Sequence, residues 1–96
     1  MNLTAEQLKE VESLAELFFS PGDIAIILEV DHDKFISEVH AGFGAAFKAF
    51  NRGFLLGESK IRKSVMELAE NGSSPAQTLM LQIKKQAQHR KNIENA

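Results

Sequence analysis

The segment from residue 21 to residue 40 places its apolar side chains where two short helices joined by a tight turn need them. Four apolar residues at helical spacing form the predicted inner face of the first helix: Ile24, Ala25, Ile27 and Leu28. Three more form the inner face of the second helix: Phe35, Ile36 and Val39. Val30 is expected to fill the corner between the two helices. This spacing predicts a helix-turn-helix, a motif that normally places its second helix in the major groove of DNA.

Helix signals continue on both sides of this segment, and no stretch alternates apolar and polar residues as a half-buried strand would. Thr4 with Gln7 three residues later forms a capping-box pattern, which predicts the start of a first helix. Ser20 and Asp31 are expected to cap the second and third helices, since their side-chain oxygens can accept hydrogen bonds from free backbone N–H groups.

A long fourth helix is predicted from about residue 43 to residue 70, where Gly72 follows as a stop signal and Ser73 as the cap of a fifth helix. The predicted fold class is all-α, with an N-terminal helix-turn-helix bundle followed by a long helix and a C-terminal antiparallel helix. Residues 1–42 form the helix-turn-helix part and residues 43–96 form a helical hairpin, the expected oligomerisation part, within one compact domain overall.

The long helix carries an apolar seam at steps of three, four and seven residues, the spacing with which helices pack on one another. A helix of about 28 residues would be about 42 Å long, more than one small domain can cover. Part of the seam is therefore expected to contact another copy, and its candidate interface residues are Phe43, Phe47, Phe50, Phe54 and Ile61. Gly53 and Gly57 interrupt the helix and predict either a close approach of a second backbone or a kink.

The net charge of −2 conceals opposite charges in two parts of the chain. Residues 1–40 contain nine acidic residues and two lysines, a net charge of −7, whereas residues 41–96 contain nine basic and four acidic residues, a net charge of +5. A polyanionic partner is therefore expected to contact the second part. Two groups of basic residues there are candidates for binding DNA phosphates, with a solvated polar face as the alternative for each: Lys60, Arg62, Lys63, Lys84, Lys85, Arg90 and Lys91.

The second helix of the motif supplies three candidates for the groove side of a DNA complex: His32, Lys34 and Ser37. Asp33 and Glu38 on the same helix would meet phosphates unfavourably, although a carboxylate can accept a hydrogen bond from the cytosine amino group. Glu29 stands where the turn of this motif usually has glycine, so a left-handed or adjusted backbone is expected there at some cost in stability.

No catalytic, cofactor-binding or metal site is predicted, so the chain is not expected to be an enzyme. It has no cysteine, which excludes a disulfide framework, a thiolate zinc site and a cysteine nucleophile. Asp31, His32 and Asp33 are adjacent at a helix start and would point in different directions, so they favour a capped helix over a metal site. The acidic N-terminal residues and the lack of a long apolar stretch predict neither a signal peptide nor a membrane span, and a cytoplasmic location is expected.

From about residue 17 to residue 90 the chain resembles the small subunits of phage terminases. The resembling segments are LFFSPGDIAIILEVDHDKFISEV and FKAFNRGFLLGESKIRKSVMELAENGSSPAQTLMLQIKK. Seven residues fall where the family pattern has an aromatic, small, apolar or turn residue: Phe50, Gly53, Ile61, Leu68, Ala69, Gly72 and Ala76. The resemblance implies a homo-oligomer, often a ring, that binds double-stranded viral DNA and presents it for packaging to the terminase large subunit, which carries the ATPase and nuclease.

Two alternatives use the same helices. In the first, the chain is a helical assembly or protein-interaction module without a nucleic-acid role, in which the acidic part of one copy docks on the basic part of the next. In the second, it is a prophage-type transcriptional regulator, which would differ mainly in forming a dimer.

Overall fold

The computed structural model describes residues 1–95 and contains five α-helices, with no strand in that range. The helices are α1 (Ala5–Glu16), α2 (Pro21–Leu28), α3 (His32–His40), α4 (Ala45–Glu70) and α5 (Ser74–Glu94). The all-α prediction is confirmed. The chain divides into two compact units, Met1–Glu58 and Ser59–Ala96, called here the first and second unit, and Ala96 lies outside the described residues.

Four of the five helices, α1, α2, α3 and α5, begin at the capping residues that the sequence predicts. The Gln7 N–H donates to Thr4 Oγ1 over 3.1 Å and the Thr4 N–H donates to Gln7 Oε1 over 2.9 Å, which completes a capping box at α1. Ser20, Asp31 and Ser73 each accept a backbone N–H from the residue three positions later and so cap α2, α3 and α5. These predictions succeed because a cap depends only on neighbouring residues.

Four helices are followed within two residues by one in the left-handed backbone region, and two of these residues are glycine. The φ angles are 66° at Phe18 after α1, 57° at Glu29 after α2, 80° at Gly42 after α3 and 98° at Gly72 after α4. At the end of α2, the Glu29 N–H donates to the Ile26 carbonyl and the Val30 N–H donates to the Ala25 carbonyl, which is the Schellman pattern. The left-handed turn expected at Glu29 is therefore present.

Replacing Glu29 with glycine is expected to stabilise the protein by about 0.5–1 kcal/mol, because glycine adopts this backbone conformation without a Cβ clash. Urea denaturation followed by circular dichroism measures the change. The matched control is Glu10→Gly at an exposed position inside α1, which should lose about 1 kcal/mol through helix propensity. A loss of stability in the Glu29→Gly variant would contradict the prediction.

The first unit has a core built from α1, α2, α3 and the start of α4. Its buried residues are Val11, Ala15, Ile24, Ala25, Phe35, Val39 and Ala46. Ile27, predicted on the inner face of α2, is instead 48% exposed. Ile24, Ala25 and Leu28 set the inward direction of α2, and Ile27 lies roughly a third of a turn away from the centre of that arc.

Gly53 and Gly57 lie where α4 meets the backbone of α1. A Cβ on Gly53 would collide with the Glu12 carbonyl oxygen and lie 2.9 Å from the Ala15 Cβ. A Cβ on Gly57 would collide with the carbonyl oxygen of Glu16, one helical turn further along α1. Of the two alternatives predicted for these glycines, the structure therefore shows the close approach of a second backbone.

The helix α4 has 26 residues and begins at Ala45, two residues later than predicted. Gly42 and Gly44 have φ angles of 80° and 91°, and these positive values break the helical path on both sides of Phe43. The connector between α3 and α4 is therefore longer than the apolar spacing alone indicated.

Candidate nucleic-acid interface

The α2–α3 pair, joined by residues 29–31, is held in a fixed bend from both sides of the turn. Ile24 and Ala25 of α2 and Phe35 of α3 are all fully buried in the core of the first unit. On the α3 side, the Lys34 N–H donates to Asp31 Oδ1 over 2.9 Å and fixes the first turn of that helix. The bend therefore rests on core packing and on backbone hydrogen bonds together.

The outer face of α3 is polar. Asp33, Lys34, Ser37 and His40 are all exposed, and they follow one another at helical spacing opposite Phe35 and Val39. Two of the three predicted groove residues, Lys34 and Ser37, thus lie on the side of α3 that faces away from the core.

His32, the third predicted groove residue, is placed differently. It shares its face of α3 with Phe35 and Ile36, and its imidazole lies beside Gly22 at the start of α2, where an added Cβ would come 2.9 Å from His32 Nε2. Its Nδ1 is 3.1 Å from Asp33 Oδ1. His32 is half exposed at the edge of the α2–α3 pair, whereas Lys34 and Ser37 lie on the outer face of α3.

The first unit is strongly acidic. It contains ten Asp and Glu residues against four Lys and Arg, a net charge of −6. On α3, Asp33 is almost fully exposed, while Glu38 pairs with the Met1 amino group over 2.9 Å. Arg52 of α4 pairs with Glu12 of α1 over 2.6 Å. The electrostatic field around α3 therefore repels a polyanion, so any attraction to one must come from residues outside the first unit.

The second unit has the opposite charge, with seven Lys and Arg against three Glu, a net charge of +4. All the predicted phosphate-binding bases lie in it: Lys60, Arg62 and Lys63 on α4, and Lys84, Lys85, Arg90 and Lys91 on α5. Arg62 is half buried and the other six are exposed. Lys84 and Lys91 are seven residues apart, so they share one face of α5. Arg90 Nε lies 3.4 Å from Glu94 Oε1, which offsets part of its charge.

The predicted interface residues of α4 and its connector differ widely in exposure. Phe43 is 75% exposed between the two positive-φ glycines, whereas Phe47 and Phe50 are half buried. Phe54 lies 6.4 Å from Phe50 between ring centroids and is 36% exposed. Ile61, in the second unit, is 52% exposed. Phe50 packs against the core of the first unit. Of the five predicted interface residues, Phe43 and Ile61 are the most exposed to solvent.

The sequence prediction missed an exposed apolar connector between α1 and α2. Leu17, Phe18 and Phe19 are 69%, 41% and 39% exposed. The Phe18 ring meets the edge of Phe54 at 5.3 Å between centroids and an interplanar angle of 80°. Three consecutive large apolar residues directly before the helix cap Ser20 were the available signal for such a surface.

Other kinds of site find no support in the described part of the chain. Residues 1–95 contain no group of three or more His, Cys, Asp or Glu side chains arranged to hold a metal ion. None of the five helices combines the length and the apolar character that crossing a bilayer requires. No family model, no curated protein and no solved structure matches this chain.

Proposed function

We propose that the protein is a non-enzymatic DNA-binding protein of the terminase small-subunit type, which acts as a homo-oligomer and passes double-stranded viral DNA to a terminase large subunit. The observation that carries the proposal is the α2–α3 pair, with its left-handed turn at Glu29 and the outward position of Lys34 and Ser37. A rigid helix with polar side chains on its outer face suits a major groove.

The electrostatics assign different roles to the two units in this proposal. The first unit, at −6, supplies shape and the few base-edge contacts that Lys34 and Ser37 can make. The second unit, at +4, supplies the phosphate contacts, which provide most of the affinity of DNA-binding proteins. In the proposed oligomer, several copies contact the same DNA at once, which raises the overall affinity above that of one copy.

The charge-reversal variant Lys84→Glu/Lys85→Glu is expected to bind random duplex DNA about tenfold or more weakly at about 50 mM salt. The loss should be similar for all DNA sequences, because phosphates carry no sequence information. Its affinity should also fall less steeply between about 50 and about 200 mM salt, since fewer counterions are released. Fluorescence anisotropy of a labelled duplex measures both effects.

The matched control is Lys9→Glu/Lys48→Glu, which makes the same change in net charge at two exposed positions of the first unit. It should reduce affinity much less, because only long-range repulsion changes. Equal losses in the two double variants would remove α5 from the proposal. Wild-type protein that shows no salt-sensitive anisotropy change would overturn DNA binding altogether.

A second candidate function is a helical assembly module without a nucleic-acid role, and the exposed apolar residues of both units favour it. The same titrations separate the two functions. An assembly module would change its oligomer size with salt while leaving the anisotropy of labelled DNA unchanged. Native mass spectrometry adds the subunit number, since a transcriptional regulator built on these helices would be a dimer.

A further inference from the structure

The second unit has too little core for the apolar surface it carries. Among residues 59–95 only Ala76 is buried. Six large apolar residues there are more than about two-fifths exposed: Ile61, Met66, Leu68, Leu79, Leu81 and Ile93. Exposed apolar residues in such number indicate that another molecule covers part of this surface.

On α4 this apolar surface forms a stripe. Ile61 and Leu68 are seven residues apart and therefore share one face of the helix, and they are 52% and 56% exposed. This pair is called here the α4 stripe. It lies in a unit of net charge +4, so its partner should be apolar at the centre and acidic around it.

The first unit offers a surface of that description. Its exposed connector, Leu17 to Phe19, is apolar and belongs to a unit of net charge −6. Phe18 adopts a left-handed backbone that costs a non-glycine residue roughly 1 kcal/mol, and its ring is still 41% exposed. The ring also meets the edge of Phe54 in the same chain, at 5.3 Å between centroids, so its remaining exposed part is what a second molecule can cover.

We propose that the Leu17–Phe19 connector of one copy docks on the α4 stripe of a second copy. The two surfaces are both apolar, and the units that carry them have opposite net charges, so approach of two copies is steered as well as stabilised. With its connector on one neighbour and its α4 stripe on another, each copy makes a heterologous contact, which closes a ring or continues as a filament. The inference rests on the oligomer of the proposed function and names the surfaces that form it.

The chain has no cysteine, so single-cysteine variants give crosslinks without background. Leu17→Cys and Leu68→Cys copies are mixed and treated with a short bismaleimide, and the expected product is the mixed crosslinked pair. A mixture of Leu17→Cys with Leu81→Cys is the matched control, because Leu81 is similarly exposed, at 60%, but lies on α5. The double variant Leu17→Cys/Leu68→Cys should give a ladder of crosslinked multimers.

An exposed-residue variant measures the contribution of the connector. Leu17→Ser should weaken self-association about tenfold or more in sedimentation or light-scattering titrations, whereas Leu81→Ser should leave it unchanged. Circular dichroism confirms that both variants are folded. Weaker assembly at higher salt is also expected, because the attraction between the units is screened.

The outcomes separate this inference from the proposed function. Crosslinks of Leu68→Cys only to itself, within an intact oligomer, would overturn the docking of the connector and leave the oligomer standing. A monomer at all accessible concentrations would overturn both the docking and the oligomer, while DNA binding is decided independently by anisotropy.

Discussion

The Gly53→Ala variant is expected to lose about 2 kcal/mol of unfolding free energy, although alanine is the better helix former. Gly53 is buried, and its missing Cβ makes room for the Glu12 carbonyl oxygen of α1. A backbone carbonyl inside a helix cannot rotate away, so α1 and α4 must separate to admit a methyl group. The expected fall in Tm is roughly 8–16 °C for a chain of this size. Thermal denaturation followed by circular dichroism measures it.

The control for this substitution is Asn51→Ala, at an exposed position two residues earlier in α4. It should be neutral or stabilising by a few tenths of a kcal/mol, because only helix propensity changes. Gly57→Ala should behave like Gly53→Ala, since it faces the Glu16 carbonyl oxygen in the same way. A Gly53→Ala variant as stable as the Asn51→Ala variant would mean that α1 and α4 do not approach closely.

The Phe35→Ala variant is expected to lose about 3–5 kcal/mol, the usual cost of removing a buried aromatic ring. Phe35 is the largest fully buried side chain, and it belongs to the same core cluster as Ile24 and Ala25 of α2. Its removal leaves a cavity between the helices that fix the orientation of α3. Because typical domains have only about 5–15 kcal/mol of stability, the first unit should be largely destabilised. Urea denaturation gives the value.

Phe43→Ala is the matched control, since it removes the same ring from a position that is 75% exposed. Its effect on stability should stay within about 0.5 kcal/mol. The comparison also bears on assembly: a large effect of Phe43→Ala on oligomer size, with unchanged stability of the fold, would place Phe43 in a subunit contact. Equal destabilisation by the two variants would contradict the described core.

The sequence predicted those parts of the fold that depend on neighbouring residues. The capping box at Thr4, the caps at Ser20 and Asp31 and the left-handed turn at Glu29 each involve groups within a few positions of one another. Local hydrogen bonds and backbone sterics decide such features. They could therefore be derived without knowing how the helices pack.

Features decided by packing were harder to derive. Ile27 follows the helical spacing of a buried residue but is nearly half exposed, because the inward direction of the short helix α2 is set by its partners. The role of Gly53 depends on the backbone of α1 that lies against it, which the spacing of residues in α4 does not reveal. For the candidate site, Lys34 and Ser37 could be assigned to an outer face from spacing, whereas the position of His32 beside Gly22 depends on the bend of the α2–α3 pair.

The meeting of Glu12 with Gly53 also has a consequence for the order in which the first unit folds. Helices that are adjacent in sequence, such as α2 and α3, come into contact by closing a short loop. Contact between α1 and α4 requires closing a longer loop that contains α2 and α3. Contacts of long sequence separation slow folding, so this crossing is expected to form late. Until it forms, the surface of α4 around Gly53 and Gly57 is exposed. A helix of another chain can then pack there in place of α1, which is a route to misassembly during synthesis.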